Sequence, residues 1–170
     1  MKKLISFSMC LVFLLLCGCS TVKSTVELKP KYSQTATVKM GDYSYSANVK
    51  FDGKSVYITP TSTNASGMTI SCNGKEVAFS RRDMLTKADK SKVSAYNPAV
   101  LFYDAITTVS DCKKVGNAYV FDGKTSVGNF TLTVNQSSEL VSFNIPDADF
   151  SIEFDVGDSV ESGALLATLN

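Results

Sequence analysis

Asn97-Pro98-Ala99-Val100-Leu101-Phe102-Tyr103-Asp104-Ala105-Ile106-Thr107-Thr108-Val109 is the stretch that decides how the rest of this chain is arranged. Asn97 is a good helix cap and Pro98 suits the first helical turn, so a helix should open here and run to about Val109. At 100° per residue its Ala, Val, Leu, Phe, Tyr and Ile side chains cover most of the circumference instead of one stripe. A helix that is apolar nearly all round is normally surrounded. This one is too short to cross a bilayer, so other parts of the chain must cover it.

The flanking sequence supplies that cover as β-structure. Before the helix, Tyr43, Tyr45, Ala47, Val49 and Phe51 alternate with Ser44, Ser46, Asn48 and Lys50, the period of a strand with one buried face. Asp52-Gly53 offers a tight turn, Val56 and Ile58 continue to Pro60, and Thr61 to Gly67 reads as a polar loop. Met68, Ile70 and Cys72 alternate again, Asn73-Gly74 turns the chain, and Val77 and Phe79 return. Arg81 to Ala95 is charged and polar and reads as a mobile connection. After the helix, Tyr119 and Phe121 precede a third turn signal at Asp122-Gly123. Phe130, Leu132 and Val134 alternate, and Asn135 to Ser138 turns. Val141, Phe143 and Ile145 follow as far as Pro146, and Phe150, Ile152, Phe154 and Val156 close the pattern. The expected fold class is mainly β (α+β): a curved antiparallel sheet of seven or eight strands, an unclosed half-barrel wrapped around one short helix.

The amino terminus tells a different story. Met1-Lys2-Lys3 and an apolar run from Leu4 to Leu16 form a secretory signal, too short for a comfortable span. It ends in Leu16-Cys17-Gly18-Cys19, which resembles the lipobox of bacterial lipoproteins. The resemblance implies removal of residues 1–18 and lipidation of Cys19, with acyl chains as a membrane anchor. Residues 19–34 then form the lipidated end and a polar tether, residues 35–156 the domain, and residues 157–170 a weakly patterned tail. The expected location is the extracytoplasmic face of the cell membrane, held by lipid.

Composition narrows the chemistry. The 170 residues include no histidine and no tryptophan, and 17 basic residues face 16 acidic ones. Without histidine there is no Ser-His-Asp or Cys-His site, and the commonest metal ligand is missing. No cofactor, no metal and no catalytic residue is expected, and the chain reads as a non-enzyme. The carboxylate pairs Asp147/Asp149 and Glu153/Asp155 read as one solvated strand face. Near-neutral charge argues against a nucleic-acid partner. With Cys19 lipidated, Cys72 and Cys112 remain, and a disulfide, two buried thiols or an intermolecular bridge all stay open.

Two blocks of hairpins, the Pro60 to Gly67 break, the Asn97-Pro98 helix between the blocks and the closing Phe150-Ser151-Ile152-Glu153-Phe154 strand together resemble the LolA/LolB-like lipoprotein carriers. That resemblance implies an unclosed barrel with a hydrophobic cavity for acyl chains between sheet and helix. The candidate lining residues are Tyr45, Val49, Ile70, Phe79, Leu101, Phe102, Phe130, Leu132 and Phe143. The function expected from it is a membrane-anchored, non-catalytic domain that binds a lipid or acyl chain. The alternative is a structural or partner-binding lipoprotein with a filled core that supports another envelope protein. The lipid anchor and the absence of a long helical lid set this chain apart from shuttling carriers.

Overall fold

The computed structural model describes residues 28–109 and 112–157. Cys19, the signal segment, most of the tether and the tail from residue 158 lie outside the described residues. Among the described residues, eleven strands form one antiparallel sheet. They are β1 (Tyr32–Met40), β2 (Tyr43–Phe51), β3 (Val56–Pro60), β4 (Met68–Cys72), β5 (Glu76–Arg81), β6 (Met84–Asp89), β7 (Cys112–Val115), β8 (Ala118–Thr125), β9 (Gly128–Asn135), β10 (Leu140–Ile145) and β11 (Phe150–Phe154). The helix, α1 (Pro98–Thr108), connects β6 to β7. The sheet order is β6-β5-β4-β3-β2-β1-β11-β10-β9-β8-β7. Two meanders therefore meet where the first strand pairs with the last, with Val38 opposite Ile152.

The sheet is open, because β6 and β7 end it on opposite sides without pairing to each other. It is also strongly curved. Helix α1 packs on β3, β4 and β8. Strands β3 and β8 stand six places apart, which in a flat sheet would separate them by about 29 Å. A helix about 10–12 Å across reaches both only if the sheet bends around it.

Local chemistry accounts for the helix. The Asn97 side chain accepts hydrogen bonds from the amides of Ala99 (3.0 Å) and Val100 (3.4 Å), and Pro98 holds the first turn. Residues 98–102, 105 and 106 are buried, and only Thr107 and Thr108 at the far end are exposed. Both threonine hydroxyls fold back onto carbonyls of the preceding turn, which satisfies them locally.

Several sequence expectations need correction. The first strand starts at Tyr32, ahead of the expected Thr35, because Tyr32 and Gln34 are themselves buried. The expected connection from Arg81 to Ala95 instead contains β6 and a short 3-10 turn (Lys90–Lys92). Strand β6 carries no buried residue, so it has no period for a sequence reading to detect. Asp122-Gly123 is not a turn but lies inside β8, with Gly123 opposite Phe130. A Cβ at Gly123 would run into the Phe130 ring, so the glycine is there for close packing. Asp147 sits in a 3-10 turn (Pro146–Ala148) and Asp149 caps it in the left-handed region, so neither belongs to a strand face.

One buried polar side chain joins the two meanders. Strand β11 ends at Phe154, and beyond it β1 faces β10 across a gap. Gln34, 4% exposed, fills the gap. Its amide nitrogen donates to the Leu140 carbonyl (3.0 Å), and its carbonyl oxygen accepts from the Leu140 amide (3.1 Å). Leu140 lies at a register shift between β9 and β10, so the glutamine pairs main-chain groups beside an irregularity in the ladder.

Candidate functional site

The concave face was the expected binding site, and its nine candidate residues do come together there. Tyr45 and Val49 reach it from β2, Ile70 from β4, Phe79 from β5, Phe130 and Leu132 from β9 and Phe143 from β10. Leu101 and Phe102 come from α1. All nine belong to or pack against one hydrophobic core. The Phe102 ring lies 5.4 Å from Phe143 and 5.7 Å from Phe154, and Phe143 lies 5.8 Å from Phe130 and 5.9 Å from Phe150. These are tilted and edge-on pairings of the favourable kind. Phe102, Leu132 and Phe143 are each 0% exposed, so no water-sized space, open or enclosed, touches them. Tyr45 and Ile70 lie nearer the rim at 9%.

Two rim tyrosines respond to pH. Burial lifts the Tyr32 phenol to about 12, partly opposed by the Lys29 amide, which donates to its oxygen. Burial, with Tyr43 alongside, lifts Tyr45 to about 12. An unfolded phenol titrates near pH 10, so folding favours the neutral form. The stability these groups contribute is complete below about pH 10 and is lost as pH rises through about 12. Urea unfolding midpoints should fall across that window, and a Tyr45→Phe variant should fall less steeply than the parent.

The convex face carries a groove that the sequence reading did not single out. It is lined by Ser33, Gln34, Thr35, Asn48, Lys50, Asp52, Tyr57, Thr59 and Thr69 and has a volume of about 420 Å³. Asp52 anchors its end. Its carboxylate accepts from the amides of Lys54 (2.9 Å) and Ser55 (2.8 Å) and from the Tyr57 hydroxyl (3.1 Å). Burial pulls the Asp52 carboxyl upward, but those three donors and the Lys50 charge outweigh it and hold the carboxyl below its ordinary value. The only signal in the sequence was the run of Ser, Thr and Asn between the apolar positions, which reads as a solvated face.

A second cleft, of about 630 Å³, opens beside the start of α1 between Gly74, Lys75, Val93, Val100 and Ser126. An ion pair between Lys90 and Asp104 crosses it, and the Lys90 ammonium also stands 5.8 Å from the Tyr103 ring centre. At the closing strand, Glu153 pairs with Lys39 at 2.8 Å, and Asp155 accepts from the Thr35 hydroxyl at 2.6 Å. The structure records no Cys72–Cys112 disulfide. Cys72 is buried in β4, and burial pushes its thiol up, against a smaller downward pull from the Gly74 amide and Lys90. No helix among the described residues is long and apolar enough to cross a membrane.

No known family's sequence profile matches this chain. No curated protein matches it either. Among solved structures it is similar to a DUF1329 family protein from Desulfovibrio piger, at 12% identity and a TM-score of 0.36. The match covers 76% of this chain and 87% of that one.

Proposed function

We propose that this chain is a lipid-anchored, non-catalytic module of the bacterial cell envelope that acts by docking through its outer surface, not by housing an acyl chain. The anchor rests on Leu16-Cys17-Gly18-Cys19 after a short charged and apolar leader. The non-catalytic reading rests on the absence of histidine from the whole chain and on the structural partners of Glu153 and Asp155. The observation that favours docking over lipid carriage is the Phe102 cluster. The helix of the carrier-like architecture is already seated, with Phe102, its largest fully buried side chain, wedged against Phe143 and Phe154 where an acyl chain would lie.

Native mass spectrometry of the full chain, extracted in mild detergent from a bacterial host, tests this directly. The expected mass is that of the acylated protein alone. A lipid bound non-covalently in stoichiometric amount would restore the carrier reading. Labelled palmitate should enter the parent and not a Cys19→Ser variant; equal labelling of both would remove the anchor.

A further inference from the structure

The groove on the convex face is built from side chains in register across four neighbouring strands. Thr35 on β1 faces Asn48 on β2, Asn48 faces Thr59 on β3, and Thr59 faces Thr69 on β4. Beside this row runs a second, in which Ser33 faces Lys50 and Lys50 faces Tyr57. Neighbouring strands lie about 4.8 Å apart, so the first row is a ladder of hydrogen-bonding groups about 14 Å long, running across the strands.

We propose that this groove binds a neutral, extended oligosaccharide whose sugar rings step from strand to strand along the ladder. Four observations select that ligand class. The groove's two charges, Lys50 and Asp52, oppose each other, so it favours no ionic ligand. Its polar groups have capacity to spare. The Asn48 carboxamide and Ser33 hydroxyl take no hydrogen-bond partner within the described residues. The Thr59 and Thr69 hydroxyls, 2.9 Å apart, use one donor between them and keep acceptor sites. Tyr57, held by its bond to Asp52, adds a fixed ring that can offer its apolar surface to a sugar face while its polar end stays paired. Finally, β2 and β3 are paired on both sides, so a peptide could not add here as a strand. A polynucleotide would need a cationic excess that the groove lacks.

The inference rests on the docking reading, because it names a ligand for that outer surface, but its test is separate. The full chain in detergent is titrated calorimetrically with a β-1,4-linked N-acetylglucosamine tetramer. Saturable binding is expected, weakened at least about tenfold by Asn48→Ala and by Tyr57→Ala. Asn144→Ala, an exposed position on β10 of the other meander, should leave it unchanged. Asn48 is exposed and its side chain supports nothing, so its variant folds whatever becomes of Tyr57→Ala. No saturable heat with millimolar tetramer, or binding indifferent to Asn48→Ala, overturns the proposal. A lipid-free native mass without sugar binding would remove the glycan groove and leave the docking module. A bound lipid together with Asn48-dependent sugar binding would do the reverse.

Discussion

Phe102→Ala should destabilise the fold by about 3–5 kcal/mol, seen as a drop of about 10–15 °C in melting temperature. Phe102 is fully buried, and its ring is shared between α1, β10 and β11. Truncation removes the apolar transfer term and leaves a hole that cannot collapse easily, because Phe143 is itself pinned by Phe130 and Phe150. Urea unfolding of parent and variant measures the loss. The same experiment bears on function. A loss under about 1 kcal/mol would mean that helix and sheet close readily over empty space. That is the behaviour of a deformable lipid pocket, and the filled-core reading would fail with it.

Gln34→Leu should cost about 2–4 kcal/mol although it replaces a polar side chain with an apolar one of similar size. The reason lies on Leu140. Both its amide and its carbonyl pair with the Gln34 carboxamide across the gap below β11. A leucine would leave both buried and unsatisfied. Gln34→Glu separates this account from simple packing. A carboxylate still accepts from the Leu140 amide but sets negative charge against the Leu140 carbonyl. The variant should therefore be weakest near neutral pH and recover as acid protonates the new side chain and lets it donate. A Glu variant with a flat pH response between neutral and mildly acidic conditions would show that the hydrogen-bond pair is not what holds the seam.

The parts of the fold that were legible in the sequence are those where one periodicity operates alone. Strands β2, β9 and β11 alternate cleanly because one face meets the core and the other meets water. Helix α1 announced itself through Asn97-Pro98 and an apolar circumference. Legibility failed where tertiary context reassigns a local signal. Gly123 follows an aspartate and imitates a turn, but a phenylalanine ring claims the space where its side chain would be. Strand β6 extends past the reach of the helix, so neither of its faces needs to be apolar. Gln34 sits in a tether-like polar stretch, and only the end of β11, more than a hundred residues later, explains its burial. The inner candidate residues lie together in one core. Whether they line a space or fill it depends on shape complementarity among Phe102, Phe143 and Phe154, which no spacing rule encodes. The groove was invisible for a related reason. Asn48, Tyr57 and Thr69 become neighbours only through the strand register.

The pairing of β1 with β11 also sets a timetable for assembly. Each meander is made of neighbours in sequence and can zip locally, but the central join needs residues 32–40 to find residues 150–154. The earliest part of the domain to be synthesised therefore waits, with one side of its backbone unsatisfied, for the latest part to arrive. Contacts of such long range make folding slow and leave an unpaired strand exposed in the interval. A chain cut short between Ile145 and Phe150 would hold two half-sheets, each with a raw margin where the keystone belongs.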